Sequence, residues 1–339
     1  MISLSKPKSA AKEQLRDPDE QPFIDTGVFS TIEHIPFFSV CIPTYNRAQM
    51  LPATIESVLN QNFVEFELII CDNASTDNTE EVVKGYCDQR LRYVCYETLV
   101  SMYANHNRCL NLAQGDWIIF LHSDDLMTDL NLAQAIVKDL QDKMSTCFPS
   151  LYLNQESTYK EWSFLEILKL MNGISPSGSI YRKDAIKEIG GFAEDNIIAD
   201  WELLLNMSFK KGGVYSYSSN PFVKRIVHSL NARIKSIKDG SAHFGKSQCV
   251  KRFFSKISLE EFNIIANYIM KDWDRSSINK FYFYLVLSGL KENAKLIKKL
   301  SYNHKKYVYL STNSFYAFIV KNYGKDVFFS LYRKLRTLV

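Results

Sequence analysis

The sequence predicts an α/β protein: a Rossmann-like, mostly parallel sheet flanked by helices, followed by a C-terminal helical unit. Three observations predict it. Short apolar, β-branched runs alternate with helix-periodic segments over the first 141 residues, and short loops join them. Three of those runs end in polar clusters. From about residue 241 onward the apolar spacing is helical only.

Residues 1–35 are polar and aperiodic and read as a flexible or loosely docked arm. Order begins with FFSVCI (37–42), a buried-strand run closed by Pro43. In LPATIESVLN (51–60), Leu51, Ile55, Val58 and Leu59 fall at helical spacing. FELIICD (66–72) is the second strand. In the turn after it, Ser75 or Thr76 is placed to cap a helix reading DNTEEVVKGYC (77–87), whose first turn is acidic. LRYVCYE (91–97) and DWIIFL (116–121) are the third and fourth strands. YANHNRCLNLAQ (103–114) and LNLAQAIVKDLQ (130–141) are the third and fourth helices. Then come a helix at WSFLEILKLMN (162–172), a strand at GSIYR (178–182), and a helix at KDAIKEIGGF (183–192) stopped by Gly190 and Gly191. An amphipathic DWELLLNMSFKKGG (200–213) precedes two short strands, VYSYS and FVKRIVH. The implied organisation is an arm over 1–35, a catalytic domain over 36–240 and a basic, aromatic-rich helical region over 241–339. Right-handed crossovers put the strands in parallel, and such sheets bind ligands at the strands' carboxyl ends. PTYNR (43–47), DNAS (72–75) and HSDD (122–125) all sit there.

Composition narrows the class. With 339 residues, 46% of them hydrophobic, the chain can bury a large core, and 13 Gly and 9 Pro exclude fibrous or low-complexity behaviour. No apolar run reaches 18 residues, and the N-terminus has no apolar stretch of the secretory type. Seven Cys without a C-x-x-C pair read as reduced core residues of a cytoplasmic protein. The net charge of +4 hides an asymmetry: residues 247–339 hold 17 Lys and Arg against 6 Asp and Glu. An acidic first part suits metal and acid–base chemistry, and a basic aromatic tail suits phosphates or an anionic membrane surface.

Chemistry-bearing residues fall in ordered segments: VCIPTYNRAQMLPATIESVLNQ (40–61), IICDNASTDNT (69–79), NHNRCLNLAQGDWIIFLHSDD (105–125), SPSGSIYRKDAIKEIGGFAEDNIIADWELLLNMSFKKGG (175–213) and FVKRIVHSLNARI (222–234). Pro43 ends a strand and exposes backbone groups at the rim. Tyr45 can stack on a base, and Arg47 can donate to a phosphate. Asp72 is a strand-end carboxylate able to accept from a base edge. Asp124 offers a hard oxygen to a divalent cation, with Asp125 beside it. Asp200 suits a general base and a helix N-cap equally, and one carboxylate can serve as both.

Taken in order over residues 37–230, these segments resemble glycosyltransferase family 2, enzymes of the GT-A fold that use nucleotide-diphosphate sugars. The resemblance implies nucleotide contacts from Pro43, Thr44, Tyr45, Asn46, Arg47, Asp72, Asn73, Asn107 and Ser123. It implies a Mn2+ or Mg2+ ion at the D-x-D position, where His122 replaces the first Asp and Asp124 matches the second. His122 then ligates the ion, bonds the ribose or orients Asp124 from behind. His228 would complete the metal or diphosphate shell, with Arg225 or Arg233 neutralising the leaving group. Asp200 holds the place of the general base, with Ala199 where the family has Glu, and Asp125, Trp201 and Glu202 would line the donor and acceptor side. His106 stands where the family has an Arg.

The implied reaction is inverting transfer from a UDP-sugar to a hydroxyl of a glycan, lipid-linked and part of surface polysaccharide synthesis. The implied location is cytoplasmic, at the inner face of the cell membrane. The tail segment 280–300 fits either an anionic bilayer surface or a helical cap with a solvated Lys face. Its aromatics sit at helical-core spacing, which argues against nucleic acid. A nucleotidyltransferase would show a Gly-rich loop after the first strand, and PTYNRAQ has none. A non-catalytic sugar-nucleotide or glycan binder would fit the loss of acids at 122 and 199, but not the retention of Asp72, Asp124 and Asp200 together.

Overall fold

Four strands pair in parallel and form the heart of the sheet: β2 (Phe38–Thr44), β3 (Phe66–Asp72), β4 (Leu91–Cys95) and β5 (Trp117–Phe120). The computed structural model describes residues 22–26, 35–141, 147–148, 159–170, 176–210, 214–217, 222–226 and 241–304. Among these, β1 (Ile24–Asp25), β6 (Leu126–Met127), β7 (Cys147–Phe148), β8 (Tyr159–Trp162), β9 (Ser179–Arg182), β10 (Val214–Tyr217) and β11 (Val223–Lys224) complete the strands. One sheet runs β1-β4-β3-β2-β5-β9-β7-β10-β8, and β11 pairs with β6 in a separate ribbon. The half beyond β5 is largely antiparallel, beginning with Ile119 opposite Ile180. Chain order reverses at β2, with β3 and β4 on one side and β5 on the other. That reversal opens a crevice above the carboxyl ends of β2 and β5.

Alternation along the strands divides the core between two faces. Val40, Ile42, Leu68, Ile70 and Ile119 face α1 (Leu51–Leu59) and α4 (Leu130–Gln141) through Leu51, Ile55, Val58, Leu130 and Val137. Cys41, Ile69, Cys71, Ile118 and Phe120 lie in the other cluster, with Cys109 and Leu110 of α3 (Met102–Leu112). That cluster continues through Trp201 and Leu204 of α7 (Ala199–Lys210) into four further helices, Ser241–Phe254, Leu259–Asp272, Arg275–Leu287 and Lys291–Asn303. Among the described residues, these helices share one apolar cluster with the sheet.

Several expectations need correction. Ile24 and Asp25 are not part of an aperiodic arm: they pair antiparallel with Cys95 and Val94 and cover the edge of β4. Arg92 fixes them by a forked bond to Asp25 (3.0 and 2.6 Å). Helix α7 is not amphipathic in its surroundings: eight of its twelve residues are buried, in a cluster that also holds Ile167, Leu168 and residues of the C-terminal helices. Cys41, Cys71, Cys95, Cys109 and Cys249 are buried free thiols, whereas Cys87 is exposed. No helix among the described residues is long and apolar enough to cross a membrane.

Candidate active site at the sheet's switch point

The first two rim loops are stitched together by side chains. Thr44 lies opposite Asp72 at the end of the β2–β3 ladder. Asn46 takes a left-handed conformation (φ 51°), tolerated by Asn, and its Oδ1 accepts from the Thr76 N–H at 2.8 Å. In return the Asn46 N–H donates to Ser75 Oγ at 2.8 Å, and the Ala48 N–H to Asp77 Oδ2 at 3.1 Å. Ser75 and Thr76 therefore do not cap α2 (Thr79–Lys84), whose cap position, Asn78, makes no side-chain cap bond. Burial pushes the Asp77 carboxyl up, but hydrogen bonds from Thr79 and Ala48 outweigh it and leave the group below its ordinary value.

Within this frame Tyr45 is 42% exposed, open to stacking, while Asp72 is 1% exposed. Asp72 accepts from the Ser75 N–H (2.9 Å) and the Tyr93 hydroxyl (2.7 Å). Asn73 braces the loop before α3, exchanging bonds of 2.9 Å with the Val100 backbone and accepting from Arg108 at 3.0 Å. Pro43 is part of the ladder, opposite Cys71. Thr44 Oγ1 is a buried hydroxyl oxygen with no hydrogen-bond partner.

After β5 the chain turns at His122, Asp124 and Asp125, and one ligand atom from each lies within 4.8 Å of the others. Asp125 is buried; Ser177 Oγ donates to its Oδ2 at 2.5 Å and the Ile226 N–H to its Oδ1 at 2.9 Å. Ser177 also accepts from the His122 N–H (3.1 Å), and Arg225 donates to the Ser177 carbonyl (3.2 Å). The β6–β11 ribbon, with Val223 opposite Met127, brings Arg225 and Ile226 here. Burial pushes the His122 imidazole below its ordinary value against the pull of Asp125 and Asp124, and Arg225 and Arg47 press it the same way. Its Nε2 is buried without a partner. Ser123 is buried beside it.

A neutral imidazole and two carboxylates this close fit a divalent cation that accepts nitrogen as well as oxygen. Asp124 and His122 would hold it, and Asp125 is engaged in fixing the turn.

Asp200 stands in the first turn of α7 with 5% exposure, close to Tyr103, and its Oδ1 accepts from the Trp201 N–H at 2.8 Å. Its two neighbours do not line the site. Trp201 is wholly buried and its indole N–H donates to the Ile167 carbonyl at 2.8 Å. Glu202 accepts from Asn196 Nδ2 at 2.8 Å and faces Arg252 Nε at 2.9 Å, so it anchors the helix Ser241–Phe254. Asn107 likewise turns away: it donates to the Phe192 carbonyl and accepts from the Phe192 N–H, both at 2.9 Å, gripping the turn after Gly191. His228 and Arg233 lie outside the described residues. Sequence reasoning missed Ser177, Tyr103 and Arg108. Ser177 had a signal, a small polar residue just before a strand that borders β5, whereas Tyr103 reads as an ordinary core aromatic.

Comparison with known proteins agrees with this geometry. Residues 39–190 match the model of glycosyl transferase family 2. The chain is 26% identical over 204 residues to a PGL/p-HBAD biosynthesis glycosyltransferase of Mycobacterium bovis, covering 58% of this chain and 76% of that protein. It is 28% identical over 189 residues to the Escherichia coli UDP-Glc:alpha-D-GlcNAc-diphosphoundecaprenol beta-1,3-glucosyltransferase WfaP, covering 54% and 73%. The mannosyltransferase PcManGT of Pyrobaculum calidifontis, solved with GDP-Man and Mn2+, superposes with a TM-score of 0.55 at 15% identity, over 94% of this chain and 91% of that one. With the parallel sheet, the rim loops and the acidic turn in their places, the segment 39–190 matches glycosyl transferase family 2, and the chain has the GT-A fold.

Proposed function

We propose that the chain is a metal-dependent, inverting hexosyltransferase that moves a sugar from a UDP-sugar to a hydroxyl of a lipid-linked glycan. The observation that carries this reading is the cluster of His122, Asp124 and Asp125 at the sheet's switch point, with Arg47 and Arg225 beside it. A bound Mn2+ or Mg2+ would neutralise charge on the leaving diphosphate. Asp124 and His122 would hold the ion, Arg47 and Arg225 would add positive charge next to it, and Tyr45 would stack on the base. Asp200 would take the proton of the acceptor hydroxyl as that oxygen attacks the anomeric carbon from the face opposite the diphosphate. The Thr44 hydroxyl, buried and unpartnered, would find its partner in the nucleotide.

The donor and acceptor classes follow the relative WfaP, whose name records UDP-Glc and a lipid diphosphate carrying GlcNAc. The excess of 17 basic over 6 acidic residues in 247–339 supports placement at an anionic membrane face, within surface polysaccharide synthesis. The test is transfer from UDP-glucose to a short-chain GlcNAc-diphosphate-lipid with Mn2+, with UDP-GlcNAc, UDP-galactose and GDP-mannose in parallel. The anomeric configuration of the product is read by NMR. A β-linked product from an α-linked donor supports the reading. Transfer with retained configuration, or turnover undiminished in EDTA, would overturn it.

A further inference from the structure

The segment 280–300 carries aromatics and lysines together, and the structure separates them. Phe281, Phe283 and Tyr284 of the helix Arg275–Leu287 are buried in the apolar cluster, with the Phe254 and Phe262 rings against Phe281. The helix Lys291–Asn303 faces inward with Ala294, Ile297 and Ser301, and Leu296 and Leu300 pack against the same cluster. Its other side is left to Lys291, Lys295, Lys298, Lys299 and Tyr302, all exposed. At about 100° per residue these five positions fall within an arc of about 100°, opposite the buried side. The helix holds four lysines and one acid, Glu292. Glu292 meets Lys295 at 2.7 Å, but both side chains are largely exposed, and such a pair contributes little. The helix packed alongside, Leu259–Asp272, has no comparable stripe: it sets Lys271 against Glu260, Glu261 and Asp272. Lys246 is buried, and Arg252 is taken by Asp195 and Glu202.

We propose that the exposed face of the helix Lys291–Asn303 is the contact with an anionic lipid surface, made by lysine ammonium groups on headgroup phosphates without insertion of the helix. This deepens the membrane placement of the proposed function and rests on it. A helix that enters a bilayer needs a free apolar side, and here that side is part of the protein core. What remains is charge attraction, and each lysine close to an anionic surface raises affinity by roughly fivefold. A single-stranded nucleic acid would want stacking rings beside the charge, and Phe254, Phe262, Phe281 and Phe283 are all inside. The contact is therefore peripheral, reversible and sensitive to salt.

The test is sedimentation of the full chain with vesicles of phosphatidylcholine alone and of phosphatidylcholine mixed with phosphatidylglycerol. The wild type should bind only the mixed vesicles. Raising NaCl from about 0.1 M to 1 M shortens the Debye length from about 10 Å to 3 Å and should release the protein, whereas an inserted helix would stay bound. Lys298→Gln/Lys299→Gln should weaken binding by about tenfold or more, and adding Lys291→Gln and Lys295→Gln should bring the loss to about a hundredfold or more. Arg at all four positions should keep it. Lys84→Gln/Lys251→Gln removes the same charge from exposed positions on two other helices and should change binding by less than about twofold. Binding to phosphatidylcholine alone, binding that survives the high salt, or an equal loss in Lys84→Gln/Lys251→Gln would overturn the proposal. So would capture of RNA with no binding to the anionic vesicles. Vesicle binding needs neither donor nor acceptor, so a chain that binds but transfers no sugar to a soluble short-chain acceptor would overturn the proposed reaction and not this contact.

Discussion

Arg252→Met should destabilise the protein far more than Glu202→Gln, and by an amount that grows with pH. Glu202 has 10% of its side chain exposed and Arg252 25%, with 2.9 Å between Oε1 and Nε. Burial pushes the Glu202 carboxyl above its ordinary value, and Arg252 and Asn196 pull it part of the way back. Removing the cation leaves a buried carboxylate with one amide donor, a loss of about 3–5 kcal/mol for fully buried pairs. A quarter-exposed Arg252 brings this to roughly 2–3 kcal/mol. Glu202→Gln keeps the Asn196 contact, and Arg252 still reaches Asp195 at 2.6 Å, so that variant should lose about 1 kcal/mol or less. The sign with pH is fixed by linkage. A carboxyl whose folded value lies above its unfolded one holds more protons in the folded state across that window, so stability falls as pH rises through it. The defect of Arg252→Met should therefore shrink between pH 7 and pH 5. Urea unfolding at both pH values, with the double variant Glu202→Gln/Arg252→Met, reads this directly. Equal losses in the two single variants, or a pH-independent defect, would refute the reasoning.

Three further outcomes follow from the same structure. Ser177→Ala removes the donor at 2.5 Å from Asp125 and an acceptor of the His122 N–H, so affinity for Mn2+ measured by calorimetry should drop by about tenfold or more. Gly245→Ala would gain about 1 kcal/mol of helix propensity, but its Cβ would lie 2.5 Å from Asn196 Oδ1 and 3.1 Å from Ile198; the net effect on the melting temperature should be a fall. Burial pushes the His243 imidazole down to about 4, so the unfolded chain binds the extra proton between pH 6.5 and 4 and stability should fall as pH drops through that window. The group's share is roughly 3 kcal/mol, and His243→Gln should flatten that part of the urea-midpoint curve.

The parallel half of the fold was legible because each strand there is a continuous apolar run ended by a polar loop, a pattern set by burial on both faces. The acidic turn was legible because two adjacent acids stand out directly after a buried apolar strand, although Asp125 is itself buried and fixes the turn. What escaped depends on contacts across long sequence separations. Asp25 reaches Arg92 across 67 residues, and Ile226 reaches Asp125 across 101, and neither pairing has a local pattern. Trp201 and Glu202 looked like rim residues because they follow Asp200, but one helical step turns each onto the core or onto Arg252. Asn107 showed a related limit, since a motif position fixes where a residue stands and not which neighbour its amide will grip.

The central claim is that Asp124 and His122 hold a cation that in turn holds a nucleotide diphosphate. Calorimetric titration of UDP into the full chain, with and without Mn2+, and into Asp124→Asn, tests it most directly. Binding should require the metal and be lost in the variant, while the melting temperature of the free protein is unchanged. Metal-independent UDP binding that survives Asp124→Asn would contradict it.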